Sequence, residues 1–226
     1  MTEQLDNANV SKVLGKVVDY PDQYDSTILV KEPRQGNRTH LGIQDNNLPF
    51  EGYDVWNAWE ISCLTNKGQP VTGIAKIVYP CDNKYIVESK SLKLYFNSYN
   101  MSRFGDTAEE AIASIERNSA EDLSKLLETN VQIKIRRPHE IPATLAAPIQ
   151  DKHVTLEKDV RMDNLVFDQF TEDCKLLRVR SIQGYLLRQY YHSSLLKSNC
   201  RVTNQPDWGD VYIYIKCNQK IDEGGL

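Results

Sequence analysis

The fold is decided by residues 53–79, which read YDVWNAWEISCLTNKGQPVTGIAKIVY. Residues 53–64 are rich in aromatic and β-branched side chains, and a second apolar run covers residues 71–79. Between them, residues 66–68 are Asn-Lys-Gly, a combination that favours a tight turn. Two such runs joined by a turn are typical of a β-hairpin. We therefore predict a hairpin at the start of the first folded module.

Two helices are predicted after the hairpin. Residues 87–99 space their apolar side chains three and four positions apart, which is the helical period. Residues 106–129 show the same period over a longer stretch. Asp106 or Thr107 is suited to cap its start, and Asn130 is suited to end it.

The remaining pattern completes an α+β chain. Residues 131–136 alternate apolar and polar, as in a strand with one solvated face, so the order is strand, strand, helix, helix, strand. Farther on, residues 153–156 and 211–217 are predicted strands, whereas 174–180 and 185–191 fit either strand or helix. No internal repeat is evident. We expect four regions: an N-terminal arm over 1–52, a first module over 53–137, a proline-rich linker over 138–164 and a partial second module over 165–226.

Composition restricts the class of protein. The chain has 226 residues, 40% of them hydrophobic and 26% charged, which is ordinary for a soluble globular protein. A net charge of -4 argues against direct binding of nucleic acid, because phosphate neutralisation needs clustered cations. The sequence shows neither an apolar run that could span a bilayer nor a signal peptide. We expect a cytoplasmic protein without a membrane partner.

Cysteine and histidine usage argues against a metal site. The five cysteines are widely spaced and form no CxxC pair, and none of the four histidines lies at helical spacing from another. We therefore expect no bound metal and a reducing compartment in which most thiols serve as small core residues.

One candidate catalytic segment surrounds Cys200. The thiol lies between Asn199 and Arg201, and nearby cations or hydrogen-bond donors make a thiol more nucleophilic. Asp207 follows in a Pro-Asp-Trp-Gly turn, where a carboxyl packed on the Trp208 indole could retain a proton and act as an acid. The alternative interpretation is a buried structural cysteine and an aspartate that caps the turn.

A second candidate segment lies between a predicted strand and a predicted helix, where backbone donors could face a ligand. There, Glu88 could accept from a purine-like amide and amine, and Ser89, Lys90 and Lys93 could hold phosphate. The alternative is a helix start with solvated charges. Neither a Rossmann fingerprint nor a P-loop is present.

Both segments resemble parts of one family. Residues 88–100, ESKSLKLYFNSYN, resemble the signature of the NADPH-dependent 7-cyano-7-deazaguanine reductases, the nitrile reductases of queuosine biosynthesis, a tRNA-modification pathway. Residues 195–200, LLKSNC, and 203–209, TNQPDWG, resemble the catalytic segment of its longer, two-module branch. The resemblance extends from about Leu14 to Asp222.

The resemblance implies a tunnelling fold, in which each module is an antiparallel sheet with two helices on one face and modules assemble around a barrel. It also implies a homodimer that uses NADPH and a small-molecule nitrile, without metal or flavin. By match to the motifs, Cys200 is the nucleophile that forms a thioimide and Asp207 the proton donor. The substrate contacts are Val87, Glu88 and Ser89, and the cofactor contacts are Ser89 and Lys90.

The sequence departs from the family pattern at its end. In the family, the second module continues past the strand at 211–217 with a His-Glu pair that binds the deazaguanine and an Arg-Gly pair that contacts the cofactor; neither is present here. We therefore expect a chain shortened at its C-terminus and a weak reductase. The alternative is a catalytically impaired or inactive binding or structural module of the same fold. A pterin-forming cyclohydrolase is disfavoured because that enzyme needs zinc ligands.

Overall fold

The computed structural model describes residues 23–137, 153–160, 169, 171, 173–182, 184–199 and 206–226. The chain divides into two compact units, residues 1–145 and 146–226. Each combines mostly antiparallel strands with a few helices, in agreement with the predicted α+β class. Among the described residues, no helix has the length and apolar composition needed to cross a membrane.

The described part of the N-terminal arm is more structured than an extended segment. A single turn of 3-10 helix at Ser26–Ile28 precedes the short strand β1 (Lys31–Pro33) and the short helix α1 (Gln35–His40). Leu29 belongs to the buried core of the first unit. The arm therefore packs on a core built by later residues.

The predicted hairpin is confirmed. Strands β2 (Tyr53–Leu64) and β3 (Pro70–Pro80) pair in antiparallel register. Their turn contains Gly68 with a φ of 83°, a conformation that favours glycine. A β-bulge interrupts the register, since Ala58 pairs with Ala75 whereas Ile61 pairs with Gly73, which leaves one extra residue on β2.

The order of elements after the hairpin also follows the prediction. A short strand β4 (Tyr85–Val87), which pairs with β1, leads into α2 (Ser89–Ser98), α3 (Ala108–Leu127) and β5 (Gln132–Arg136). Strand β5 pairs with β3, so the sheet order is β2-β3-β5. A capping box between Thr107 and Glu110 starts α3. Glu128, and not Asn130 as predicted, ends it in a left-handed conformation with a φ of 55°.

One face of this sheet is buried beneath α2 and α3. Fully buried side chains come from both helices and from β3: Ala75, Ile77, Tyr95, Phe96, Ile115, Leu123 and Leu127. On the opposite face, Tyr53 and Val55 of β2 are exposed. The bulge residue Trp59 is exposed as well. Along β3, buried side chains alternate with more exposed ones, which gives the sheet one buried face and one solvated face.

A tyrosine network, buried at Tyr95 and Tyr99 and exposed at Tyr24, fastens the arm to the helices. The Asp122 carboxylate of α3 accepts hydrogen bonds from the hydroxyls of Tyr24, at 2.6 Å, and Tyr95, at 2.7 Å. The Tyr95 hydroxyl also lies 2.8 Å from that of Tyr99. Burial and the neighbouring Asp122 carboxylate raise the pKa of Tyr24 to about 12. The Tyr24 hydroxyl therefore keeps its proton and can donate to the carboxylate at neutral pH.

In the second unit, the ambiguous segment 185–191 contains the start of a long strand, and 174–180 contains one 3-10 turn, Cys174–Leu176, followed by the start of a short strand. The elements of this unit are β6 (Val154–Thr155), α4 (Leu156–Asp159), β7 (Val179–Ser181), β8 (Leu187–Asn199), β9 (Pro206–Cys217) and β10 (Gln219–Ile221). Strands β8 and β9 form a long antiparallel hairpin with β6 along its outer edge, and β7 pairs with β10. The predicted strand at residues 211–217 is confirmed as part of β9. The one predicted at 153–156 is confirmed in its centre, and α4 begins at Leu156.

The two long hairpins share one geometry. In the second, a bulge again leaves one extra residue, because Ser193 pairs with Val211 whereas Leu196 pairs with Gly209. Leu196 lies three residues before the end of β8, as Ile61 does in β2. The sequence segment that the two hairpins share is short: it reads QPVTG at residues 69–73 and QPDWG at residues 205–209. The chain therefore contains an internal repeat. Too few residues are shared for the sequence alone to reveal it, and the strand register is what shows it.

The repeat extends to the short strand pairs. Asp25 and Asp173 each cap one turn of 3-10 helix and are followed by β1 and β7, respectively. The backbone N–H of Glu88 donates to the Val30 carbonyl at 2.9 Å, and that of Asp222 donates to the Arg178 carbonyl at 2.9 Å. Glu88 and Asp222 thus occupy equivalent positions directly after β4 and β10.

The two bulge-facing glycines differ in the space around them. A Cβ on Gly73 would lie 2.6 Å from Ile135 Cγ2, whereas one on Gly209 would meet only Leu196 Cδ2 at 3.7 Å. Overpacking typically costs about 1–3 kcal/mol, so Gly73→Ala should lower the free energy of unfolding by that amount. Gly209→Ala should change it by less than about 0.5 kcal/mol. Urea denaturation of the full chain measures both, and equal losses would contradict the packing difference.

Candidate active site

The four predicted binding residues lie together at one strand–helix junction of the first unit. Val87 is the buried last residue of β4, Glu88 is the N-cap of α2, and Ser89 and Lys90 begin that helix. The side chains of Glu88, Ser89 and Lys90 are partly exposed. The junction is therefore accessible to a ligand at its polar residues, and Val87 anchors it in the core.

The Glu88 carboxylate is already engaged with the helix. Its Oε1 accepts from the Lys90 N–H at 2.9 Å and its Oε2 from the Ser91 N–H at 2.6 Å. The expectation that backbone donors face a ligand here is corrected, because a carboxylate at the N-cap satisfies them. Each carboxylate oxygen has a second lone pair, so Glu88 can still accept a hydrogen bond from a ligand. A phosphate would depend on the Ser89 hydroxyl and the Lys90 ammonium.

A second carboxylate, which the sequence patterns did not identify, belongs to the same neighbourhood. Glu32 of β1 lies opposite Ile86 of β4, two residues before Glu88. Burial, and to a smaller extent the Glu88 charge, raises the pKa of Glu32. Two nearby carboxylates favour a ligand that donates hydrogen bonds. Only the pairing of β1 with β4 reveals Glu32, because it is distant from Glu88 in sequence.

Asp207 lies in the second unit, in a different local structure from the predicted turn. It is the second residue of β9 and pairs with Ser198 of β8. Proline can begin a strand, so Pro206 starts β9 rather than a turn. Successive strand residues face opposite sides, so the Asp207 carboxyl does not pack on the Trp208 indole as predicted. That indole is 62% exposed and has the Lys197 Nζ at 5.4 Å from its ring centroid.

Cys200 lies outside the described residues. In the sequence it directly follows Asn199, the last residue of β8. Of the predicted site residues, 87–90 therefore lie together in the first unit, and Asp207 belongs to the second unit.

Two of the other cysteines are poor nucleophiles. Burial raises the pKa of the Cys63 thiol to about 11, and burial followed by the Asp54 charge raises that of Cys81. Such thiols remain protonated at neutral pH and react slowly. Across the described parts of the chain, no group of three or more His, Cys, Asp or Glu side chains is arranged to hold a metal ion.

Comparison with known proteins connects these segments. The family model described as "Nitrile reductase, 7-cyano-7-deazaguanine-reductase N-term" matches residues 20–135. This chain belongs to the 7-cyano-7-deazaguanine reductase family. It is 37% identical to the NADPH-dependent 7-cyano-7-deazaguanine reductase of Colwellia psychrerythraea, over 94% of this chain and 72% of that relative. The proteins of the same name from Rickettsia typhi and Desulfotalea psychrophila are 40% and 35% identical, over 91% and 100% of this chain and 70% and 76% of those relatives.

Family membership confirms the resemblance deduced from residues 88–100 and 195–209. The relatives are oxidoreductases, and their names state that they depend on NADPH. The roles of the individual residues in this reductase-family chain remain predictions, since the comparisons identify the family and not the contacts.

The capping role of Glu88 can be tested apart from any ligand. In this 7-cyano-7-deazaguanine reductase family member, Glu88→Ala removes the acceptor for two N–H groups and should destabilise the chain by about 1 kcal/mol. Glu88→Asp should retain most of that stability, because aspartate is a favourable N-cap and Asp222 caps its own turn through the Gly224 N–H. Urea denaturation measures both variants. Full stability of Glu88→Ala would contradict the capping role.

Proposed function

We propose that this chain reduces the nitrile of 7-cyano-7-deazaguanine to the aminomethyl group of 7-aminomethyl-7-deazaguanine in queuosine biosynthesis, with NADPH as reductant. The observation that carries the proposal is the position of residues 87–90. The family signature falls at a single accessible junction, where a carboxylate, a hydroxyl and an ammonium are available beside an apolar residue.

The junction suits both ligands. The lone pairs of Glu88 that remain free can accept from the amide N–H and the exocyclic amine of the deazaguanine, and buried Val87 anchors the junction in the core. The Ser89 hydroxyl and the Lys90 ammonium would hold the cofactor's phosphate, since the nearby backbone N–H groups are occupied. NADPH, when bound, supplies the hydrides.

The chain's own residues would divide the remaining chemistry. The Cys200 thiolate adds to the nitrile carbon, forming a C–S bond, while Asp207 gives a proton to the nitrogen; the product is a thioimide. Hydride addition to that carbon and loss of the thiolate give an imine, which a second hydride and a proton convert to the amine. Water must be excluded, because the imine would otherwise hydrolyse.

The internal repeat supports Asp207 as the acid. Asp207 follows Pro206 in β9 as Val71 follows Pro70 in β3, and Val71 is only 5% exposed on the helix-covered face of its sheet. A carboxyl in that position loses hydration as soon as a ligand covers it.

The repeat also supports a tunnelling fold with a second, partial module. We propose an arm over residues 1–52, a module over 53–137 and a second module over 165–226. Strand β6 and helix α4 fall within the region 138–164 and associate with β8. A homodimer is part of the proposal, because strand β2 is the outer strand of its sheet and exposes Tyr53 and Val55.

The nucleophile can be tested with the nitrile alone. Without NADPH, the thioimide should accumulate, and mass spectrometry of the intact chain should show one added 7-cyano-7-deazaguanine. Peptide mapping should place it on Cys200. Cys200→Ser should abolish the adduct and NADPH consumption, whereas Cys217→Ser should retain both. An adduct on another cysteine, or one that survives Cys200→Ser, would overturn the assignment.

The division between Glu88 and Lys90 gives a separate prediction. Lys90→Ala should weaken NADPH binding more than nitrile binding, and Glu88→Gln should do the reverse while leaving one oxygen for the helix cap. A hydrogen bond to a charged group is worth about 1.5–3 kcal/mol, so each selective loss should be about tenfold or more. Calorimetric titration of both ligands into both variants decides it. Small, equal effects would indicate a solvated helix start.

A further inference from the structure

Three serine hydroxyls fasten the arm to the second helix and the turn after it. Each accepts a hydrogen bond from an arm backbone N–H: Val30 to Ser91 at 3.0 Å, Asp25 to Ser98 at 3.2 Å and Tyr24 to Ser102 at 2.7 Å. All three serines are buried, Ser91 and Ser98 completely. The same kind of hydrogen bond, from an arm N–H to a serine hydroxyl, thus joins the arm to the helix and the following turn at three places.

Ser91 differs from the other two because it also holds the proposed site. Its hydroxyl donates to the Glu88 carbonyl at 2.8 Å, and its N–H donates to the Glu88 carboxylate at 2.6 Å. The Glu88 N–H in turn donates to the Val30 carbonyl at 2.9 Å. Val30, Glu88 and Ser91 therefore form a closed ring of hydrogen bonds. Ser98 instead donates to the Tyr95 carbonyl, at 2.6 Å, and contacts no site residue.

We propose that Ser91 is a positioning residue of the reductase site, through which the arm fixes the direction of the Glu88 carboxylate. The inference rests on the proposed function, in which Glu88 binds the deazaguanine. Removal of the Ser91 hydroxyl leaves the Val30 N–H without its acceptor and opens the ring. The Glu88 carbonyl also loses one of its two donors, so the Glu88 backbone that carries the carboxylate is held less firmly.

The chain offers a matched control. Ser91→Ala and Ser98→Ala each remove one buried hydroxyl that accepts an arm N–H and donates to a carbonyl within the second helix or at its N-cap. The two variants should therefore lose similar stability. If both serines were only structural, the two variants would bind the nitrile with equal affinity. If Ser91 is a positioning residue, Ser91→Ala binds the nitrile more weakly than Ser98→Ala does.

The experiment measures nitrile affinity and urea stability for the full chain and both variants. Ser91→Ala should bind 7-cyano-7-deazaguanine about fivefold or more weakly, the affinity equivalent of one hydrogen bond. Ser98→Ala should stay within about twofold of the unaltered chain, at a comparable loss of stability. If the unaltered chain binds the nitrile and both variants weaken it equally, the role of Ser91 is overturned. If the unaltered chain does not bind the nitrile, the proposed function fails, and the role of Ser91 with it.

Discussion

Burial of α2 between the sheet and the arm is the constraint on which the first unit depends. Tyr95 and Phe96 have no exposed surface and fill the space under the hairpin. Burying two large aromatic side chains contributes several kcal/mol, on the order of 1.5–3 each, which compensates much of the cost of ordering the helix. Core burial thus places the N-terminus of that helix, where Glu88 lies, and hydrogen bonds to the arm hold it there.

The arm packs on the same helix. Its backbone has few hydrogen-bonding partners of its own, and buried N–H groups need acceptors. Serine hydroxyls supply them along the helix, and the Asp122 carboxylate anchors Tyr24 at the far end. Short strand pairing between β1 and β4 then continues directly into Glu88. Arm, helix and candidate site are therefore one connected hydrogen-bonded structure.

What the sequence predicts, and what it does not, follows from the range of the interactions. The first hairpin, helices α2 and α3, strand β5 and the 211–217 part of β9 were predictable because their apolar periodicity is local. The place of Glu32 and the contact between Val30 and Ser91 were not, since they depend on partners some sixty residues away in the chain. The turn predicted at Asp207 was wrong, because Pro-Asp-Trp-Gly is compatible with a strand opening and only the partner strand decides between the two.

The two units show how one geometry can serve two purposes. Cys63 and Val71 face each other in the first hairpin as buried apolar side chains, and Ser198 and Asp207 face each other at the equivalent place in the second, exposed and polar. A polar pair there contributes nothing to an apolar core and is unfavourable when covered without a partner. The polar pair of Ser198 and Asp207 is explained if a polar ligand binds to it. In the proposed function, the position that stabilises the first unit would then be available for proton transfer in the second.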